Sequence, residues 1–197
     1  KGGFLLGKYH GEGVYDAPTG EHYEGQWENG IHHGTGVLKR SDKSTYTGQF
    51  SRGTFTGAGT LVKDKEYYEG EWEADRREGQ CTKWTQDVEG TTYSGGVVAN
   101  QRHGRGRIEK STGEIYQGEW DHDMMHGEGD WRSGSDTYKG QFQFNHHHGK
   151  GIWSGSDGVY DGQWEQSKFH GSGTWSGSNG ETYSGAYARG MRHGQGD

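Results

Sequence analysis

The chain has 197 residues, with 40 glycines, one proline, 26% hydrophobic residues and a mean hydropathy of −1.22. That is poor material for a conventional packed interior, and no apolar run approaches the ~18 residues of a membrane-spanning helix. The formal charge of −7 argues against nucleic acid as a partner, and one cysteine, Cys81, excludes an internal disulfide framework.

Abundant glycine with low hydrophobicity would read as disorder were the aromatics not in register. Eight tyrosines (Tyr23, Tyr46, Tyr68, Tyr93, Tyr116, Tyr138, Tyr160 and Tyr183) follow one another at intervals of 22 to 25 residues. A glycine comes two residues after each, and another eleven after, from Gly25 and Gly34 through to Gly185 and Gly194. A fixed period in the twenties means one supersecondary unit copied and stacked. At the N-terminus Gly2, Phe4, His10, Gly11, Gly13 and Tyr15 fit the same ruler, lacking only a leading Tyr. The copies run near 1–22, 23–45, 46–67, 68–92, 93–115, 116–137, 138–159, 160–182 and 183–197. Both ends fall inside repeats, which reads as a segment of a longer protein.

Each copy begins Tyr-x-Gly-x-aromatic, as in Tyr116-Gln-Gly-Glu-Trp120, and these alternate residues share one face of a strand. About five residues rich in turn formers follow, such as Glu-Asn-Gly at 28–30 or Ser-Arg-Gly at 51–53. Then comes His-Gly-x-Gly-x-apolar, as in His126-Gly-Glu-Gly129 before Trp131. A second turn closes the copy, at Thr19-Gly20-Glu21 and Thr112-Gly113-Glu114 for example, and takes up all variation in repeat length. The expected unit is a β-hairpin, and no window carries a helical apolar stripe. On the aromatic face, glycines leave slots for rings from neighbouring strands, so one layer can bury aromatics without a second. The expected fold is therefore all-β: an elongated single-layer antiparallel sheet of about nine stacked hairpins. At ~10 Å per copy the ribbon would be on the order of 85 Å long.

Counted from the copy that begins at Tyr23, the third and fourth copies depart from the pattern. Glu78 stands for the repeat His and Cys81 for the second Gly, one extra residue precedes Trp84, and Val97 replaces Trp. In the second copy Thr56 replaces His. Drift in a tolerant array accounts for this; the competing reading makes residues 54–98 a bend or docking segment, because a bulge increases twist.

Tyr-Glu-Gly-Gln-Trp-Glu-Asn-Gly at 23–30 with His33-Gly-Thr-Gly36, and Tyr-Gln-Gly-Glu-Trp at 116–120 with His126-Gly-Glu-Gly129, resemble the MORN (membrane occupation and recognition nexus) repeat. Eight copies and a partial ninth span almost the whole chain. The resemblance implies a single-layer sheet of hairpins used as a scaffold. Members occur in ciliary radial spokes, cytoskeletal collars and junctional membrane proteins, and beside lipid kinases; in some a partner helix lies in the groove, and some self-associate.

Few residues suggest chemistry. Seven of the twelve histidines occupy the repeat position (His10, His33, His103, His126, His148, His170, His193), and copies ~10 Å apart cannot share a zinc ion. The run His146-His147-His148 alternates between faces and reads as a solvent-exposed turn. Gly-x-Gly lacks the helix of a nucleotide loop. Cys81 sits in a repeat-Gly slot, and Glu24, Glu69, Glu71 and Glu119 lie on the polar face. No catalytic residue, metal or cofactor is expected. The expected site is instead an aromatic groove of Trp27, Trp72, Trp120, Trp131, Trp153, Trp164, Trp175, Tyr116, Tyr138 and Tyr160, receiving a protein partner. The expected role is a non-catalytic cytoplasmic scaffold, cytoskeletal or ciliary (radial-spoke-like). The alternatives are a membrane-proximal, lipid-associated adaptor and a module that positions a catalytic domain outside this segment. With 21 basic against 28 acidic residues and Arg102, Arg105 and Arg107 as the densest basic group, the chain favours protein over lipid. Self-association through exposed terminal strands is a further option.

Overall fold

A computed structural model describes residues 1–85 and 90–197. It divides into two compact units, Lys1–Gln101 and Arg102–Asp197. The first contains β1 (Gly2–Leu5), β2 (Lys8–Asp16), β3 (His22–Glu28), β4 (Ile31–Lys39), β5 (Thr45–Ser51), β6 (Thr54–Lys63), β7 (Glu66–Glu73), β8 (Arg76–Thr85) and β9 (Thr92–Val98). The second takes β10 (Gln101–Glu109) from Arg102 on, then β11 (Ile115–Asp121), β12 (Met124–Ser133), β13 (Asp136–Gln143), β14 (His146–Gly155), β15 (Gly158–Glu165), β16 (Lys168–Gly177), β17 (Thr182–Ala188) and β18 (Met191–Gly196). Within each unit every strand pairs antiparallel with the next in the chain, and the described residues form no helix.

The first turn of each copy is shorter than the sequence suggests. Strands extend into the five-residue spacer and leave two turn residues, such as Asn29 (φ 54°) and Gly30 (φ 82°), or Phe144 (φ 49°) and Asn145 (φ 66°). Two consecutive positive φ angles define the turn whose twist matches that of the strands. The second turn residue also reaches back one copy. Asn145 accepts a bond from the Met125 amide through Oδ1 (2.8 Å) and donates its own amide to the Met125 carbonyl (3.1 Å). Asp75 does the same for Phe55, and Asn100 for Arg77.

The hairpins beginning at Tyr23, Tyr46, Tyr68, Tyr116, Tyr138, Tyr160 and Tyr183 also hold a bulge. In the copy beginning at Tyr23, Gly25 pairs with Gly36 but Gln26 with His33, so Gly34 and Thr35 stand unpaired against β3. Gly34 has φ 56°, where a side chain would be strained and would collide with Gln26. Three bonds pin the bulge: the Tyr23 hydroxyl donates to the carbonyls of Gln26 (2.8 Å) and His33 (3.4 Å), and the Thr35 amide donates to Gln26 Oε1 (3.2 Å). The same set recurs with Tyr138, Gln141, His148 and Lys150, and with Tyr160, Gln163, His170 and Ser172. The eleven-residue Tyr-to-Gly interval is thus the span from a buried phenol to the bulge that its hydroxyl ties.

The core lies in the plane of each sheet. Tyr23, Tyr46, Tyr68, Tyr116, Tyr138 and Tyr160 are at most 1% exposed, each ring lying over glycines. A Cβ added at Gly36 would come within 2.5 Å of the Tyr23 hydroxyl. In the third copy, bulges fall on both sides of β8, between Glu69 and Trp72 and between Cys81 and Trp84, accommodating the extra residue. Residues 86–89 of the segment singled out by its departures lie outside the described residues.

Candidate functional site

The ten aromatics expected to line a groove fall into three groups. Trp27, Trp72, Trp120 and Trp164 are buried, 5–7% exposed. Each indole lies over the preceding strand and donates Nε1–H to a glycine carbonyl there: Gly13 (3.2 Å), Gly59 (3.1 Å), Gly106 (3.2 Å) and Gly151 (3.0 Å). These four hold copy to copy and offer a partner little area. Tyr116, Tyr138 and Tyr160 are more deeply buried, and burial raises their hydroxyl pKa values, that of Tyr160 to about 12. They remain neutral donors to the bulge carbonyls at any physiological pH.

Trp131, Trp153 and Trp175 form the third group. Cross-strand pairing places them in one row of the second unit, in the order Tyr116, Trp131, Tyr138, Trp153, Tyr160, Trp175, Tyr183. The tryptophans are half-buried, so each presents part of its ring to solvent. Trp153 and Trp175 lie nearly parallel, centroids 6.1 Å apart at 14°, and Trp131 Nε1 donates to Glu114 Oε1 (3.2 Å). In the first unit the matching positions are Tyr15, Leu38, Leu61 and Trp84, and Trp84 is only 2% exposed. The half-exposed tryptophan row therefore belongs to the second unit.

One recurring position escaped the sequence reading. In six copies the residue before the repeat His, or before its replacement, places a flat group on the repeat Tyr ring, while the copy beginning at Tyr116 has Met125 there. His32 stacks on Tyr23 (3.7 Å, 12°), Phe55 on Tyr46 (3.7 Å, 5°), His147 on Tyr138 (3.7 Å, 8°) and Phe169 on Tyr160 (3.8 Å, 14°). Arg77 and Arg192 lay guanidinium groups over Tyr68 (5.1 Å) and Tyr183 (4.8 Å). The signal was a column of ring and guanidinium side chains beside the histidine, hidden because its chemistry changes from copy to copy. His147 corrects the reading of 146–148 as a turn: the run opens β14, and burial lowers the His147 pKa to about 4, with His146 adding to the shift. Neighbouring strand residues do face opposite ways, as His146 is exposed.

Cys81 is buried and its Sγ lies 3.9 Å from the Tyr93 carbonyl; burial pushes its pKa to about 12, which leaves an unreactive thiol. On the polar face Glu71 accepts the Gln80 amide (3.1 Å), so that carboxylate fastens a bulge. A shallow concavity of about 510 Å³ in the second unit is lined by Arg107, Gln117, Asp130, Trp131, Arg132 and Lys139. Among the described residues no helix is long and apolar enough to cross a membrane.

An array of β-hairpins, each closed over its own glycines by a buried tyrosine, defines a single-layer repeat protein. The MORN repeat profile matches nine times, at residues 1–22, 23–45, 46–64, 68–87, 93–115, 116–135, 138–159, 160–182 and 183–197, and the chain belongs to the MORN repeat family. No curated sequence matches it significantly. Among solved structures, it is similar to the TCP domain of SAS-4 (dCPAP) of Drosophila melanogaster, solved in complex with a proline-rich motif of Ana2 (dSTIL). That likeness has a TM-score of 0.46 and 8% identity over 89% of this chain and 90% of the other, and it is too distant to bear on function.

Proposed function

We propose that the chain is a non-catalytic scaffold that captures a protein partner along Trp131, Trp153 and Trp175. MORN repeats commonly serve as protein-interaction or membrane-associated modules. The observation that favours a protein is the half-exposed tryptophan row, whose rings offer large apolar area at little cost in side-chain entropy. The acidic balance, 28 carboxylates against 21 basic residues, opposes attraction to an anionic membrane. The setting we propose is cytoplasmic, in a cytoskeletal or ciliary assembly.

The test changes one face at a time. Trp131, Trp153 and Trp175 are replaced together by Phe, and separately Arg105, Arg132 and Lys139 on the polar face by Glu, with circular dichroism verifying each fold. Proteins recovered by the wild-type chain are identified, then titrated as purified binary partners. The tryptophan variant should bind about tenfold more weakly or worse, a loss of ~1.4 kcal/mol, while the charge variant keeps its affinity. Undiminished binding by the tryptophan variant would sink the proposal. Tight binding of phosphatidylserine vesicles at physiological salt, lost on charge reversal, would establish a membrane adaptor instead.

A further inference from the structure

Three metal-ligating side chains converge at one place in the second unit. His103 lies on β10, one step beyond the paired Gly104 and Trp120, and therefore opposite Asp121 at the end of β11. His122 follows as the first turn residue, with φ 48°. Asp121 Oδ1 lies 2.6 Å from His122 Nδ1 and 3.4 Å from His103 Nδ1, and the donor atoms of all three residues fall within 4.8 Å of one another. His103 Nδ1 is itself buried and makes no hydrogen bond, although Asp121 is close. An unsatisfied buried ring nitrogen costs free energy unless something else takes its lone pair or proton.

We propose that His103, Asp121 and His122 form a zinc site joining the fourth and fifth copies. Two imidazoles and one carboxylate are the donor set of a three-ligand zinc centre, with water in the fourth position. Ligands ~2.0–2.1 Å from a tetrahedral ion stand about 3.3 Å apart, so small side-chain rotations close the site. One carboxylate oxygen with two ring nitrogens does not suit calcium or magnesium, which take oxygen.

The arrangement comes from one substitution in the repeat. The same register sets Glu28 opposite His10 and Glu165 opposite His148, but the next residue there is Asn29 or Gln166. Among the first-turn positions only residue 122 is a histidine. Counting repeat histidines ~10 Å apart overlooked this, because the additional donors come from the adjoining turn rather than from other repeat histidines.

The test uses zinc and the chain stripped of metal by chelation. His122→Asn is the decisive variant, since Asn29 occupies the same turn position with φ 54° and the turn should survive. Calorimetric titration should show one zinc per chain, with affinity at least about tenfold lower in His122→Asn, Asp121→Asn and His103→Gln. Zinc should also raise the Tm of the wild type and of a His146→Gln/His148→Gln variant, but not that of His122→Asn. Zinc affinity unchanged in His122→Asn, or lost in His146→Gln/His148→Gln, would overturn the assignment and leave adventitious binding only. Absence of zinc binding by the wild type would overturn it too.

Discussion

His147 lies flat on Tyr138, edge-on to Phe142 (5.3 Å) and Trp164 (5.1 Å), and in that setting the neutral imidazole is favoured. Its folded pKa, about 4, lies below the unfolded value near 6.5, so the unfolded chain binds the extra proton between those limits. The stability that the neutral ring contributes is complete above pH 6.5 and is lost as pH falls toward 4. With solvent screening of a partly exposed ring, the loss is on the order of 1 kcal/mol. His147→Phe should remove that component, since Phe55 and Phe169 already fill the same slot on Tyr46 and Tyr160. Urea midpoints at pH 7.5 and 5.0 measure it: the variant should lose less stability than the wild type across the interval, and equal losses would refute the account. At this scale the sequence was uneven. Tyr, Gly and Trp were legible because packing over a bare Cα admits few side chains. The stacking position was not, because His, Phe and Arg all serve there.

The hairpin, the element of this fold, is fastened at both ends by groups that periodicity does not reveal. At one end a tyrosine hydroxyl ties the bulge; at the other the second turn residue bonds to the copy before it. Asn145 tolerates φ 66° and spends its side chain on the Met125 amide. Asn145→Ala loses that bond and strains the left-handed backbone, which should cost ~1–2 kcal/mol. Asn145→Gly should lose less, because glycine takes this conformation freely and already stands at Gly30, Gly53 and Gly190. Chemical denaturation of the two variants checks the order; a glycine variant as unstable as the alanine variant would mean the side-chain bond carries the whole effect. Strand and turn existence could be read from alternation and from Asn-Gly, but turn length could not. The bulge inserts residues that alternation alone does not count, so a two-residue turn looked like a five-residue spacer.

Within each unit, among the described residues, no second layer covers these aromatics, and each buried ring packs on its own copy or the neighbouring one. Stability should then be a sum over copies and their junctions, without one shared core. Gly118→Val provides the test. Its Cβ would come 2.6 Å from the Gly129 Cα and against the Tyr116 hydroxyl, so backbone or ring must move, at a cost of about 1–3 kcal/mol. Gln117→Val, on the exposed polar face one residue away, should be nearly silent. By hydrogen exchange, Gly118→Val should lower amide protection in β10 to β13, the strands whose bonds run through the fifth copy. Protection in β3 to β6 should stay at its wild-type level, since Tyr23 and Tyr46 rest on glycines of their own copies. A drop of equal size in every strand would show that the chain unfolds as one cooperative body and would defeat the additive picture. The repeat period made that picture readable from sequence, because aromatic and glycine positions that recur together every 22 to 25 residues give each copy its own rings and its own slots.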